Sequence, residues 1–443
     1  MKVLVTGGAG YVGSTICSAL IDQNYTPIIL DSLTTGKDEF VEDKIFYKGS
    51  IDDKEIIDRI FSEHGNIKFV IHCAEKSSID ISVSNPYEYY NSNVVKSIEL
   101  FKILNDKGCK NVIFCSSASI YDDVAGHLVT ENSPINPRSP FARSKYITEM
   151  ILQDFVRAYD MKCIALRCFN PIGADPLMRS GITERNPHNI VYKLLESVSN
   201  DTEFVVGGND WPTKDGTCIR DYIHIFDVAL AHVKALENFD EAFLRINTPN
   251  KNYMPINIGS GRGSSVKELI YAFENITGEK VKVVYGDRRP GDAIGSYANI
   301  SRAKISIDWD VSLTMEEGIL DAIRWKELST ANAWNVLRSP KSGFRRVYVR
   351  IITNSQKRFE IFVFENWCAD FTIGDIRRPV TGYTPWSYKT FIRNSSVISS
   401  FLRENLLEKY VFILLKASLP LSVNSFFLAK YSLMIWISLN SRE

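Results

Sequence analysis

Seven residues near the start of the chain, Gly7-Gly8-Ala9-Gly10-Tyr11-Val12-Gly13, constrain its fold more than any other feature of the 443 residues. They follow a short apolar run, Lys2–Thr6, and precede apolar residues at Ile16, Leu20 and Ile21 with helical spacing. Glycines at 7, 10 and 13 between a strand and a helix remove the side chains that would hold a ligand off the backbone. The N–H groups of the helix N-terminus can then meet a pyrophosphate. A dinucleotide is therefore expected at Gly7, Gly10, Tyr11, Val12 and Gly13. Eighteen residues past Gly13, the run 27–30 ends in Asp31. A carboxylate there accepts hydrogen bonds from the adenosine ribose and repels a 2′-phosphate, which selects NAD over NADP.

Strand-like runs continue at 45–47, 69–72, 112–115 and 163–166, separated by amphipathic stretches at 53–64, 92–107 and 142–160. This alternation predicts an α/β fold, a Rossmann-like doubly wound parallel sheet. Ligands of such sheets gather at the carboxyl ends of the strands. Chemistry is expected among Cys73-Ala74-Glu75-Lys76, Ser116-Ser117-Ala118 and Phe169-Asn170-Pro171.

Several longer pieces carry a resemblance. They are Val70-Ile71-His72-Cys73-Ala74, Glu88-Tyr89-Tyr90-Asn91-Ser92-Asn93-Val94, Ile113-Phe114-Cys115-Ser116-Ser117-Ala118 and Arg167-Cys168-Phe169-Asn170-Pro171-Ile172-Gly173. The polar run 208–224 (GNDWPTKDGTCIRDYIH) and Arg289-Pro290-Gly291-Asp292 complete the set. With the glycine loop, they make residues 1–326 resemble the UDP-glucose 4-epimerase family of the extended short-chain dehydrogenases/reductases. The resemblance implies NAD contacts at Ala74, Asn93 and Lys145 beside the glycines and Asp31. It implies UDP-sugar contacts at Ser117, Asn170, Asn189, Arg220, Arg289 and Asp292, and a homodimer formed through the helices near 92–107 and 142–160. Paired arginines suit the diphosphate because a planar guanidinium donates two charge-assisted hydrogen bonds at once.

The implied reaction is inversion at the sugar C4, by transient oxidation and re-reduction, while a tyrosine four residues before a lysine handles the O4 proton. That spacing puts both side chains on one helix face. Here the segment reads Ser139-Pro140-Phe141-Ala142-Arg143-Ser144-Lys145, so the lysine is present and the tyrosine position holds Phe141. Phenylalanine cannot move a proton, and general acid–base assistance contributes about two to four powers of ten in rate. Ser117 matches the family's catalytic hydroxyl, Tyr121 is a conceivable stand-in for the base, and Cys168 stands where these epimerases carry an aromatic residue. Three readings stay open: an epimerase slowed at Phe141, a dehydratase or oxidoreductase acting on a UDP-sugar, and a non-catalytic binder of NAD and UDP-sugar.

Beyond about residue 330 the resemblance ends. Residues 331–443 hold 16 basic and 7 acidic side chains, against 36 and 45 in residues 1–330, so the balanced total hides two unlike segments. The expected organisation is an NAD-binding domain over 1–175 with helices returning from later in the chain, a nucleotide-sugar lobe over 176–330, and a basic, aromatic extension over 331–443. The extension should contain a hairpin within 344–367 and a helix over 396–415. Its apolar stretch 410–439 is interrupted by Lys416, Pro420, Asn424 and Lys430. An appended small domain, or a non-native extension that adds nothing, is the preferred reading over contact with an anionic membrane surface or the covering of a partner. No nucleic-acid recognition motif accompanies the basic surplus. Cysteines lack C-x-x-C spacing and the histidines do not cluster in sequence, so no metal is expected. Buried free thiols and the absence of an apolar leader point to the cytoplasm.

Overall fold

The computed structural model describes residues 1–330 except 184–188, 247–250 and 289–290, together with four strands farther on. Its centre is a seven-stranded, wholly parallel sheet. In chain order the elements that build and cover it are β1 (Lys2–Thr6), α1 (Tyr11–Asp22), β2 (Thr26–Asp31), β3 (Ile45–Lys48), α2 (Lys54–His64), β4 (Phe69–His72), α3 (Lys96–Asp106), β5 (Asn111–Ser117), α4 (Pro140–Tyr159), β6 (Lys162–Cys168), α5 (Ile225–Glu237) and β7 (Tyr253–Ile258). The spatial order is β7-β6-β5-β4-β1-β2-β3. The four strand-like runs and three amphipathic stretches of the sequence all fall on these elements.

The strands are apolar throughout because helices cover both faces. Alternation within β1 shows it: Val3 and Val5 join the core under α1 and α5, while Leu4 joins the opposite core under α3 and α4. Helix α5 covers the sheet from later in the chain, with Val228, Ala231 and Val233 in the core beside Val3 and Val5. The sequence missed the returning strand β7, which pairs along β6 from Tyr253↔Cys163 to Ile258↔Cys168.

Helix α4 sets the position of the site. Ser139 caps it by accepting from the Ala142 N–H at 3.1 Å, and Pro140 opens its first turn. One turn past Lys145, the fully buried Glu149 accepts two hydrogen bonds from Arg167 of β6, at 3.0 and 2.7 Å. Ser116 (2.5 Å) and Tyr253 (2.8 Å) also donate to it. The helix is thereby tied to β5, β6 and β7.

Residues after Asn170 contribute a separate apolar cluster, with Ile172, Val191, Leu194, Phe204, Phe273 and Trp325 among its buried members. Contacts gather Met1–Leu337 into one compact unit and Arg338–Glu443 into another. In the second unit Val347–Thr353 pairs antiparallel with Phe359–Glu365, where the sequence predicted a hairpin; the turn lies outside the described residues. Val411–Leu415 pairs antiparallel with Leu433–Ile437, which corrects the last five residues of the helix expected over 396–415; the rest of that stretch lies outside the described residues. A short apolar run is compatible with either state, and a partner strand decides it. Among the described residues, no helix is long and apolar enough to cross a membrane.

Candidate active site

The glycine loop explains itself sterically. Gly7 adopts φ +73°, and a Cβ there would stand 2.6 Å from the Ala74 backbone nitrogen; one on Gly13 would stand 2.1 Å from the Gly7 carbonyl oxygen. These two glycines let α1, β1 and the end of β4 approach one another. Gly10 meets nothing closer than 3.4 Å and brings no side chain to cap α1. The first-turn N–H groups of Tyr11, Val12 and Gly13 are thus left for an anion, as a pyrophosphate requires. The Tyr11 hydroxyl itself donates to the Gly173 carbonyl at 2.7 Å, anchoring the loop. At the end of β2, Asp31 is buried and accepts from the backbone N–H groups of Ala9 (3.0 Å) and Leu33 (2.8 Å), so its carboxylate is fixed beside the loop. These residues fit NAD. Gly13→Ala is expected to weaken dinucleotide binding by one to two powers of ten, from about 1–3 kcal/mol of overpacking. NAD released from the denatured variant, compared with the parent, measures this.

Beyond the glycine loop a cleft opens at the carboxyl ends of β5 and β6, lined by Ser117, Ala142, Cys168, Asn170, Arg220 and Asp292 among others. Its lining is polar and sits at the strand ends where ligands of such sheets gather. The Ser117 hydroxyl lies 2.9 Å from that of Ser119 and accepts from the Ser119 N–H. Asn170 is exposed in the cleft, and its N–H donates to the Asp221 carbonyl at 3.0 Å. Arg220 donates to the Ile219 carbonyl at 2.8 Å and approaches Asp292 at 3.6 Å. Arg289 lies outside the described residues.

Lys145 is buried, and its ammonium sits between the Cys115 carbonyl and the Glu75 carboxylate, bonded to both. It stands over the Phe114 ring at 4.9 Å and 5.9 Å from the Phe141 ring centre. Burial pulls it down from the usual lysine value to about 8. Phe141 is buried in the first turn of α4. Glu75 is the partner that the sequence did not assign. Its signal was only its place one residue past Ala74, at a strand end already marked for chemistry.

Three expected residues turn out to be held internally. Asn93 accepts from the Lys76 N–H and donates to the Lys76 carbonyl and to Ser144, bracing the loop after β4 against α4. Asn189 caps the helix Ile190–Asn200 through Val191 and donates to the Pro171 carbonyl at 2.8 Å. Tyr121 is buried, donates to Asn257 at 2.6 Å and accepts from Arg167 at 2.9 Å. Burial also pushes its phenol above the usual range. It is therefore no stand-in for a base.

The parallel sheet, the glycine loop with Asp31, a polar cleft at the strand ends and a buried lysine on α4 define an NAD-binding enzyme of the extended dehydrogenase type. The chain belongs to the NAD dependent epimerase/dehydratase family, whose model matches residues 3–247. It is 36% identical to the UDP-glucose 4-epimerase of Bacillus subtilis over 337 residues, spanning 74% of this chain and 97% of that protein. Among solved structures it resembles the UDP-glucose 4-epimerase of Stenotrophomonas maltophila, determined with bound NAD and formylated UDP-arabinopyranose. That match has a TM-score of 0.69 at 34% identity and covers 75% of this chain and 99% of the other. The UDP-glucose 4-epimerase of Bifidobacterium longum, in complex with NAD+ and UDP, matches with a TM-score of 0.68 at 31% identity, over 74% and 99% of the two chains.

Proposed function

We propose that this chain catalyses NAD-dependent 4-epimerisation of a UDP-hexose, at a rate limited by the missing hydroxyl at Phe141. The observation that carries the reading is the convergence of Ser117, Asn170, Arg220 and Asp292 on one cleft, beside Lys145 and the glycine loop. The lobe built from residues after about 175 holds the nucleotide-sugar. Arg220 and Asp292 engage its diphosphate and uridine part, with Arg289 in support. Asn170 contacts the sugar side, while Asn93 and Asn189 position the loops that do the binding. Bound NAD supplies the hydride acceptor and donor at C4. Ser117 hydrogen-bonds the O4 hydroxyl, and Lys145 holds the nicotinamide ribose. Glu75 keeps Lys145 aimed at the cleft, where the ammonium also favours any anion that forms on the sugar. At the place of the proton acceptor there is a phenyl ring, so the O4 proton leaves through Ser117 or solvent without a matched base.

Exposed Val95 and Met150, on the helical surface that includes α4, support a homodimer through that surface. The setting is the cytoplasm. Arg220→Ala is expected to weaken UDP binding by about one to two powers of ten, the loss of a charge-assisted hydrogen bond worth roughly 1.5–3 kcal/mol; calorimetric titration with UDP checks it. The function is tested by identifying the dinucleotide released from the purified full chain and following UDP-glucose for C4 inversion. Phe141 and the locked Tyr121 favour a second reading, a non-catalytic binder. It predicts bound NAD and UDP-sugar with no inversion.

A further inference from the structure

The carboxyl ends of three neighbouring strands each bring a cysteine to the same place. In the β4–β5 register His72 faces Phe114, which sets Cys73 beside Cys115. Cys168 ends β6, the next strand across. From above, α5 lowers His232 onto them, fully buried. The Sγ atoms of Cys73 and Cys115 and a ring nitrogen of His232 all lie within 4.8 Å of one another. The Cys168 thiol, donating to the Leu166 carbonyl at 3.6 Å, neighbours Cys115 as well.

His232 supplies an independent observation. Its Nδ1 lies 2.8 Å from the Val228 carbonyl, which can only accept, so Nδ1 carries the proton. Nε2 is then the basic nitrogen; it is buried and faces the Cys115 thiol rather than an oxygen or nitrogen donor. A metal-bound histidine is held in this way, with one ring nitrogen donating to a carbonyl and the other free to ligate.

We propose that Cys73, Cys115, Cys168 and His232 form a closed site for one zinc-type divalent cation. Three sulfurs and one imidazole nitrogen are a donor set of structural zinc. Bond lengths of about 2.3 Å to sulfur and 2.0–2.1 Å to nitrogen place neighbouring ligands roughly 3.5–3.8 Å apart. Cys73, Cys115 and His232 reach this by contraction from within 4.8 Å, and Cys168 completes the set by turning its thiol from the Leu166 carbonyl, 3.6 Å away, toward Cys115. Binding releases the three thiol protons and leaves a net charge of −1 on the site. Lys145, which interacts electrostatically with Cys73 and Cys168, offsets that charge. Half-buried Cys73 gives the ion a way in. The site would clamp β4, β5, β6 and α5 together beneath the cleft, two residues from Ser117 and one from Phe169. It shares Cys168 with the cleft lining and Lys145 with the cofactor site, but a protein without epimerase activity would still bind the ion.

The test is metal analysis of the full chain purified without chelator, followed by titration of the metal-free protein with Co2+ alone. The expected result is one equivalent of zinc as purified, and one equivalent of cobalt with thiolate-to-metal absorption and the strong visible bands of a tetrahedral site. Cys115→Ser and His232→Gln should each lose the cobalt spectrum, while Cys109→Ser, at a buried cysteine in the opposite core, should keep it. Should a variant fail to fold, protection of Cys73 from alkylation by added Zn2+ in the unmutated chain gives the same answer. Absence of stoichiometric metal and of the cobalt spectrum overturns the proposal. So does a spectrum that survives both substitutions, or a Cys73–Cys115 disulfide in the fresh protein.

Discussion

Phe141→Tyr raises the rate of UDP-hexose 4-epimerisation by about two to four powers of ten, the range that a positioned general acid–base contributes. The substitution adds one oxygen in the first turn of α4, where Ser139 and Ala142 already line the cleft. Everything such a phenol needs is in place. The Lys145 ammonium, 5.9 Å from the ring centre, lowers a phenol's pKa by favouring the phenolate. The Ser117 hydroxyl at the end of β5 offers a relay to O4. Replacing Lys145 in the same background should remove most of the gain, because the tyrosine then keeps its ordinary pKa. Steady-state turnover with UDP-glucose checks this. If the Tyr variant is no faster than the parent while NAD stays bound, position 141 is not the vacant base site.

Glu149→Ala lowers the stability of the folded chain by about 3–5 kcal/mol, the loss expected when one partner of a buried ion pair is removed. The Arg167 guanidinium is almost wholly buried, and Glu149 is its only carboxylate partner in the described hydrogen-bond network. Tyr121 and the Glu131 carbonyl also accept from Arg167, but neither carries a compensating charge. Ser116 and Tyr253 lose their acceptor as well. Glu149→Gln keeps the shape and part of the hydrogen bonding, so it should lie between the two. Urea denaturation of the three proteins measures the order. A loss below about 1 kcal/mol for the Ala variant would show that the surroundings rehydrate Arg167 and that this network does not hold α4 in place.

What could be read before folding was what the chain encodes locally. Gly13 is required by contacts within a single strand–loop–helix unit and Gly7 by its positive φ in that loop, and Asp31 sits at the end of the next strand. Apolar runs fixed β4, β5 and β6 to within a few residues because covered strands need unbroken hydrophobicity. What escaped depends on partners distant in sequence. The edge strand β7 is defined by β6, from which it is separated by most of a lobe. Asn93 and Asn189 are marked in the sequence by their motifs, and the fold adds the bonds their amides make to the backbone of neighbouring loops. Glu75 gains its role only when Lys145 arrives from α4. The cysteines of three strands and the histidine of α5 have no metal-site spacing in sequence, and the sheet alone brings them together.

The most direct measurement follows UDP-glucose deuterated at C4 with the unmutated full chain and its own bound NAD. The account predicts slow formation of UDP-galactose that keeps its deuterium at C4, since hydride leaves and returns without exchange with water. No UDP-galactose from a chain that demonstrably holds NAD, or product that has lost the label, would contradict it.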